Sequence, residues 1–214
     1  MMKASRSGFT LIEVTIAMVV VSVVGLTVAG VAMALSTAHD NSRDYYQCIQ
    51  TGRVTMLRLQ DMLRRARLVT DVSDTGLVIW ESDANGDETI NLPELTLVSW
   101  DESTQRVIRR CVKVPDDWPV PIEDLAVLLS AATFESWSAS ESTFASLIEE
   151  VVLAENIEAF SVQTTPAAPL AKSVSVQMTI GLGDHSLTVH DGASLRADWT
   201  DRVENVEGIY TLLP

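Results

Sequence analysis

Between Phe9 and His39 the chain carries one formally charged residue, Glu13, in a run built almost throughout from Val, Ala, Leu, Ile and Met. Residues 9–35 as a helix rising about 1.5 Å per residue reach roughly 40 Å, more than the hydrocarbon core of a bilayer requires. Lipid offers no partners for backbone N–H and C=O groups, so a stretch of this kind is expected to be helical from end to end. Lys3 and Arg6 precede it and no acidic residue stands before Glu13, which places the short leader on the cytoplasmic side and everything after residue 40 outside.

The remainder has a different solvent. Over 214 residues, 15 Lys+Arg face 29 Asp+Glu, a net charge of −14, yet the mean hydropathy is positive at +0.19. From Asp40 onward, thirteen basic residues face twenty-eight acidic ones, a net −15. A surface of that sign repels phosphate, so nucleic-acid binding is excluded as a function class. The length suits one core-bearing domain plus an appendage.

A cleaved secretory signal is the plain alternative for the apolar run, and Ala32-Met33-Ala34 offers an A-x-A site before Leu35. The run is longer than such signals need, and a carboxylate inside it costs on the order of 2.5 kcal/mol or more toward the bilayer centre. Glu13 therefore calls for a partner. Around it, Ser7-Gly8-Phe9-Thr10-Leu11-Ile12-Glu13-Val14 resembles the class III signal of type IV pilins and type II secretion pseudopilins, a short basic leader ending in Gly and followed by Phe-Thr-Leu-Ile-Glu. The resemblance implies cleavage between Gly8 and Phe9 by a prepilin peptidase and N-methylation of the new Phe9 amine. It further implies that Glu13 pairs with the terminal amine of a neighbouring subunit. Amine and carboxylate are each costly alone in a low-dielectric bundle and attract strongly together, which suits a register-fixing contact.

Past the membrane the helix is expected to continue. Tyr45, Cys48, Gly52, Met56, Leu59, Leu63 and Ala66 recur every three or four residues, giving a helix of roughly 55 residues whose far half packs on a sheet. Strands are expected at 77–80, 95–100, 107–112, 157–164, 174–182 and 186–190, the last two as a hairpin across Gly183-Asp184-His185. Short helices are expected at 122–132 and 144–152, the second being also readable as a strand. The fold class is thus α+β, a long N-terminal transmembrane helix on a predominantly antiparallel sheet. The expected divisions are a leader at 1–8, a transmembrane and assembly helix at 9–36, its soluble half at 37–68 and a β-rich extracytoplasmic domain at 69–214. Size and layout look most similar to minor pseudopilins of the J type or minor pilins of the W type.

Asp83-Ala84-Asn85-Gly86-Asp87-Glu88-Thr89-Ile90-Asn91-Leu92-Pro93-Glu94 resembles an EF-hand calcium loop, with oxygen donors at Asp83, Asn85, Asp87, Asn91 and Glu94. Glu88 departs from it, standing where that loop has a glycine. The competing reading is an Asn-Gly-Asp turn between two strands. Cys48 and Cys111 form no metal spacing; one disulfide is open to them in an exported domain, against burial of Cys48 on the helical stripe. No catalytic motif is present and no enzyme is expected; His39, His185 and His190 read as solvated or structural.

The expected function is a structural minor subunit that primes or caps a type II secretion pseudopilus or type IV pilus. Its partners would be other pilin-like subunits, the prepilin peptidase and the inner-membrane assembly platform. The alternative is an exported or single-pass binding module centred on the calcium-like loop.

Overall fold

The computed structural model describes residues 9–84, 86–115, 127–129, 132–133, 145–183, 185–195, 199–206 and 209–213. Helix α1 runs from Leu11 to Arg65, 55 residues. Contacts divide the chain within that helix, at Tyr45/Tyr46.

In the N-terminal unit every helical side chain through Leu35 is exposed, Leu11 and Met33 among them. No core of its own covers this apolar surface, as a lipid-facing helix requires. Its few hydroxyls are satisfied within the helix: Thr15 donates to the Leu11 carbonyl at 2.9 Å, Ser22 to Met18 at 2.8 Å and Thr27 to Val24 at 2.8 Å. The membrane-compatible face therefore carries no dangling side-chain donor at these positions.

In the second unit the far half of α1 buries Cys48, Gly52, Thr55, Met56, Leu59, Met62 and Leu63. These fall at the expected helical spacing and meet two antiparallel sheets. The first has the order β1-β2-β3-β4-β5, from Leu68–Ser73, Gly76–Trp80, Leu95–Asp101, Arg106–Val112 and Ile148–Ala154. The second pairs β6 (Ile157–Thr165), β7 (Ser173–Leu182) and β8 (His185–Ser194) in that order. One cluster joins Met56, Leu59 and Leu63 to Leu77, Ile79 and Val98 of the first sheet and to Val176, Met178 and Ile180 of the second. The helix stands close to the second sheet at Gly52, where a Cβ would lie 2.9 Å from Ile180 Cδ1 and from Val189 Cγ2. Glycine at this point sets how near the backbone can come.

A second cluster fills the opposite face of the five-stranded sheet, where Leu68, Val78, Trp80, Leu95 and Leu97 are covered partly by Trp199, Val203, Tyr210 and Leu212. The last three belong to the hairpin β9 (Val203–Val206) and β10 (Ile209–Leu212). Because both faces are buried, β2 reads Gly-Leu-Val-Ile-Trp without polar alternation, and all five residues are buried.

The α+β class and the long helix stand as expected. Of the two readings of 144–152 the strand holds from Ile148, where β5 runs to Ala154 after a 3-10 turn at Ala145–Leu147, with Glu149 and Glu150 paired to Lys113 and Arg110; residue 144 lies outside the described residues. The expected helix 122–132 lies outside the described residues except at 127–129 and 132. Strands β1, β9 and β10 were not anticipated. Cys48 and Cys111 are not joined by a disulfide in this structure; Cys48 lies within the helix–sheet cluster and Cys111 is half-buried in β4. Burial pushes the Cys111 thiol up, against the pull of the Arg109 charge.

Candidate functional site

Two segments carry the residues singled out by sequence. The first is the start of α1. Thr10 is the last residue before the helix, and Glu13 stands three residues on. Glu13 Oε2 accepts the Thr10 backbone N–H and the Thr10 hydroxyl, each at 2.9 Å, and the Glu13 N–H points back to Thr10 Oγ1 at 3.4 Å. This is a reciprocal capping box, which satisfies donors that the first helical turn leaves without partners. The Thr10-x-x-Glu13 spacing is a sequence signal for it that reasoning from charge alone misses.

The negative end also lies where the helix macrodipole is positive. Only one carboxylate oxygen is used, so Oε1 has no hydrogen bond among the described residues. Phe9 is 88% exposed. Glu13, Ala17 and Val21 fall on one face of the helix, and Phe9, ahead of its first turn, lies beside them. Gly8 lies outside the described residues.

The second segment is the connection between β2 and β3. Asp83 Oδ1 accepts the Gly86 N–H at 2.7 Å and the Asp87 N–H at 3.2 Å, while Oδ2 meets the Glu88 N–H and an Arg67 guanidinium nitrogen, both at 3.3 Å. Glu94 is buried and takes three N–H donors, from Trp80 Nε1 at 3.0 Å, Ala84 at 2.6 Å and Asn91 at 3.3 Å. Asn91, fully buried, turns its amide nitrogen to Asp87 Oδ2 at 3.1 Å. The Glu94 N–H goes to the Asn91 carbonyl, and Asn91 Oδ1 is buried with no partner.

Glu88 sits at φ 60 and Gly86 at φ 76. The left-handed turn expected at position 88 of a calcium-type loop is thus present with a glutamate in it. An Arg202 pair at 2.9 Å anchors that side chain.

Asp83, Asp87, Asn91 and Glu94 are therefore gathered by one loop, while Asn85 lies outside the described residues. Their oxygens are largely engaged by N–H donors. A cation at this place would take over the position of Arg67 at Asp83 and would need Asn91 Oδ1 and the Asp87 carboxylate both turned toward it, breaking the Asn91 Nδ2–Asp87 hydrogen bond. Among the described residues no group of three or more His, Cys, Asp or Glu side chains is placed to hold a metal. What the loop holds together instead is the C-terminal segment. Arg67 stacks over Trp80 at 5.5 Å and over Trp199 at 4.8 Å, Arg202 covers Trp199 at 4.6 Å, and the two indoles meet edge-on at 4.8 Å.

The histidines do not add a third site: His39 is exposed on α1, and His185 and His190 belong to β8.

No curated protein matches the chain. Residues 3–29 match the family model of the prokaryotic N-terminal methylation motif. That match covers the basic leader, Phe9, Glu13 and the first turns of the exposed apolar helix, and it supports the type IV pilin and pseudopilin class for this chain.

Proposed function

We propose that the protein is a structural, non-enzymatic minor pilin or pseudopilin. In this reading a prepilin peptidase cuts between Gly8 and Phe9 and the Phe9 amine is methylated. The mature chain is held by α1 in the inner membrane with its β-rich part in the periplasm. It joins other pilin-class subunits at the assembly platform, priming or capping a type II secretion pseudopilus or a type IV pilus. The observation that carries the reading is Glu13: the one charge of a lipid-compatible helix, inside a methylation motif, with a carboxylate oxygen left over from its own cap. A neighbour's terminal amine is the group that such an oxygen fits, and the pairing would offset the cost of both charges in lipid.

Intact-mass and N-terminal analysis of the mature chain tests it. N-methylated Phe9 is the expected terminus, and a start at Leu35 refutes the proposal in favour of an exported module. Glu13→Ala is expected to be processed normally, to lose about 1 kcal/mol of helix capping, and to be depleted from filaments. Normal incorporation would remove the register role.

A second, independent proposal is that the 83–94 loop takes calcium. The φ of 60 at Glu88 and the partnerless Asn91 Oδ1 favour it. Titration calorimetry of the full chain with calcium is the test, and absence of a calcium-dependent heat at millimolar concentration ends that proposal.

A further inference from the structure

A sheet ends in strands whose outer N–H and C=O groups invite another chain, and most borders of this structure are guarded against it. β1 carries a bulge between Val69 and Asp71, β6 a bulge between Ile157 and Ala159, and β5 its paired Glu149 and Glu150. The strands β9 and β10 are only four residues long. β8 is different. It runs ten residues, His185–Ser194, with no proline, lysine or arginine and no register shift against β7.

Two residues separate the paired Leu182 and His185. In such a hairpin the closing pair is hydrogen-bonded, so the odd-numbered residues of β8 bond to β7 and the even-numbered ones turn their backbone groups outward. The Leu195 N–H, bonded to the Lys172 carbonyl at 2.9 Å, keeps the same phase beyond the strand. Ser186, Thr188 and His190 are exposed, and their outward N–H and C=O groups have no partner among the described residues. The Gly192 N–H is taken by the Asp191 carboxylate at 2.8 Å, which ends the open stretch.

One side of this edge is apolar. Leu187 and Val189 pack, partly buried, against the core cluster, and Val189 meets α1 at Gly52. Gln60 shares a small cavity with Asp191 and Gly192. Ile49 stands about three helical turns before Gln60, hence on the same side of α1, and is 37% exposed. The other side shows Ser186, Thr188 and His190, and no Asp, Glu, Lys or Arg occurs between His185 and His190.

We propose that β8 accepts an extended segment of another protein as a fourth strand of the second sheet. That segment carries small or apolar residues at alternate positions, which lie over Ile49, Leu187 and Val189, with uncharged polar residues between them. Main-chain hydrogen bonds supply the affinity and the alternation supplies the register. A second copy of this chain is the poorer occupant, because each carries a net charge of −14 and like charge opposes the encounter. No residue of the methylation motif takes part, so the proposal stands apart from the filament reading.

The probe is a capped peptide copying Ser173–Leu182, which alternates as Ser-Val-Ser-Val-Gln-Met-Thr-Ile, titrated into the full chain in detergent. Saturable binding by fluorescence anisotropy is expected, with new hydrogen-exchange protection at the Ser186, Thr188 and His190 amides. Thr188→Pro should weaken binding roughly tenfold by removing one outward donor. Proline is tolerated on an edge whose N–H the fold does not use, and the melting temperature checks this. Two peptides N-methylated at alternate amides put the same question to the wild-type chain: the one blocked on its bonding side should lose roughly tenfold or more, and the other should keep its affinity. No saturable binding up to about 1 mM peptide, protection gained elsewhere, or indifference to both Thr188→Pro and N-methylation overturns the proposal. So does equal binding of a scrambled peptide without the alternation, or self-association of the chain through β8 when no peptide is present.

Discussion

Replacing Glu94 by Ala removes the acceptor for three N–H groups at once. Of these, Ala84 is exposed and its N–H can turn to water, but Trp80 and Asn91 are fully buried. A buried donor left without a partner costs about 1–3 kcal/mol, so the two together cost about 2–6 kcal/mol. Domains are commonly stable by only about 5–15 kcal/mol, so the loss is a large share of what holds the fold. The effect should propagate, because Trp80 also carries the edge-on contact to Trp199 and the stacked Arg67.

Glu94→Gln separates charge from shape. It keeps one acceptor oxygen but turns an amide NH2 toward one of the N–H donors, so its cost should lie between wild type and Ala. Urea denaturation of the full chain in detergent, followed by far-ultraviolet circular dichroism, measures both. A Glu94→Ala chain within about 0.5 kcal/mol of wild type, or a Gln variant less stable than Ala, would show that the Glu94 carboxylate does not hold these donors.

Two further perturbations bear on the scaffold. Gly52→Ala gains about 1 kcal/mol of helix propensity but places a methyl 2.9 Å from Ile180 Cδ1 and Val189 Cγ2. The Ile tip can rotate whereas β-branched Val189 is stiff, so a net loss of about 0–2 kcal/mol is expected in the same denaturation assay; a gain would show that the helix can lift off the sheet freely. Asp101 closes the β3–β4 turn, and its carboxyl is held below the usual aspartate range by the Ser103 hydroxyl at 2.7 Å and the Thr104 hydroxyl at 2.8 Å. A lowered pKa stabilises the folded state above the ordinary aspartate range and loses that contribution as pH falls through the folded value. Asp101→Asn should therefore flatten the acid limb of the melting-temperature profile between the two values and leave the profile parallel elsewhere.

The long helix was legible because two signals abut: an apolar run as far as Leu35 whose one charge is Glu13, then a stripe at three- and four-residue spacing through Ala66. The central strands were legible from β-branched runs between turn residues. Strand β5 was harder. Ile148-Glu149-Glu150-Val151-Val152 has no clean alternation, and only the register opposite β4 shows that its glutamates face Arg110 and Lys113. The C-terminal hairpin was missed because its burial comes from covering the far face of the five-stranded sheet, a tertiary demand absent from local pattern.

At the site, residue types were right and their use was not. Asp83 and Glu94 were singled out as oxygen donors, but nothing in the spacing says that Trp80 Nε1 and Arg67 would come from elsewhere to meet them. Glu88 shows the reverse: a side chain unsuited to positive φ occupies it nonetheless, anchored by Arg202.

Among the described residues strand β5 ends the five-stranded sheet, with one side of its backbone ladder unpaired by any strand of that sheet. Its adjacent glutamates project to opposite faces, since neighbouring residues on a strand alternate, so a carboxylate guards that border from above and from below. A second chain laying a strand there would have to bring its own backbone between two charged side chains already paired with Arg110 and Lys113. In a filament subunit of the kind proposed above, such a border would discourage growth by extending the sheet and leave growth through the helices open.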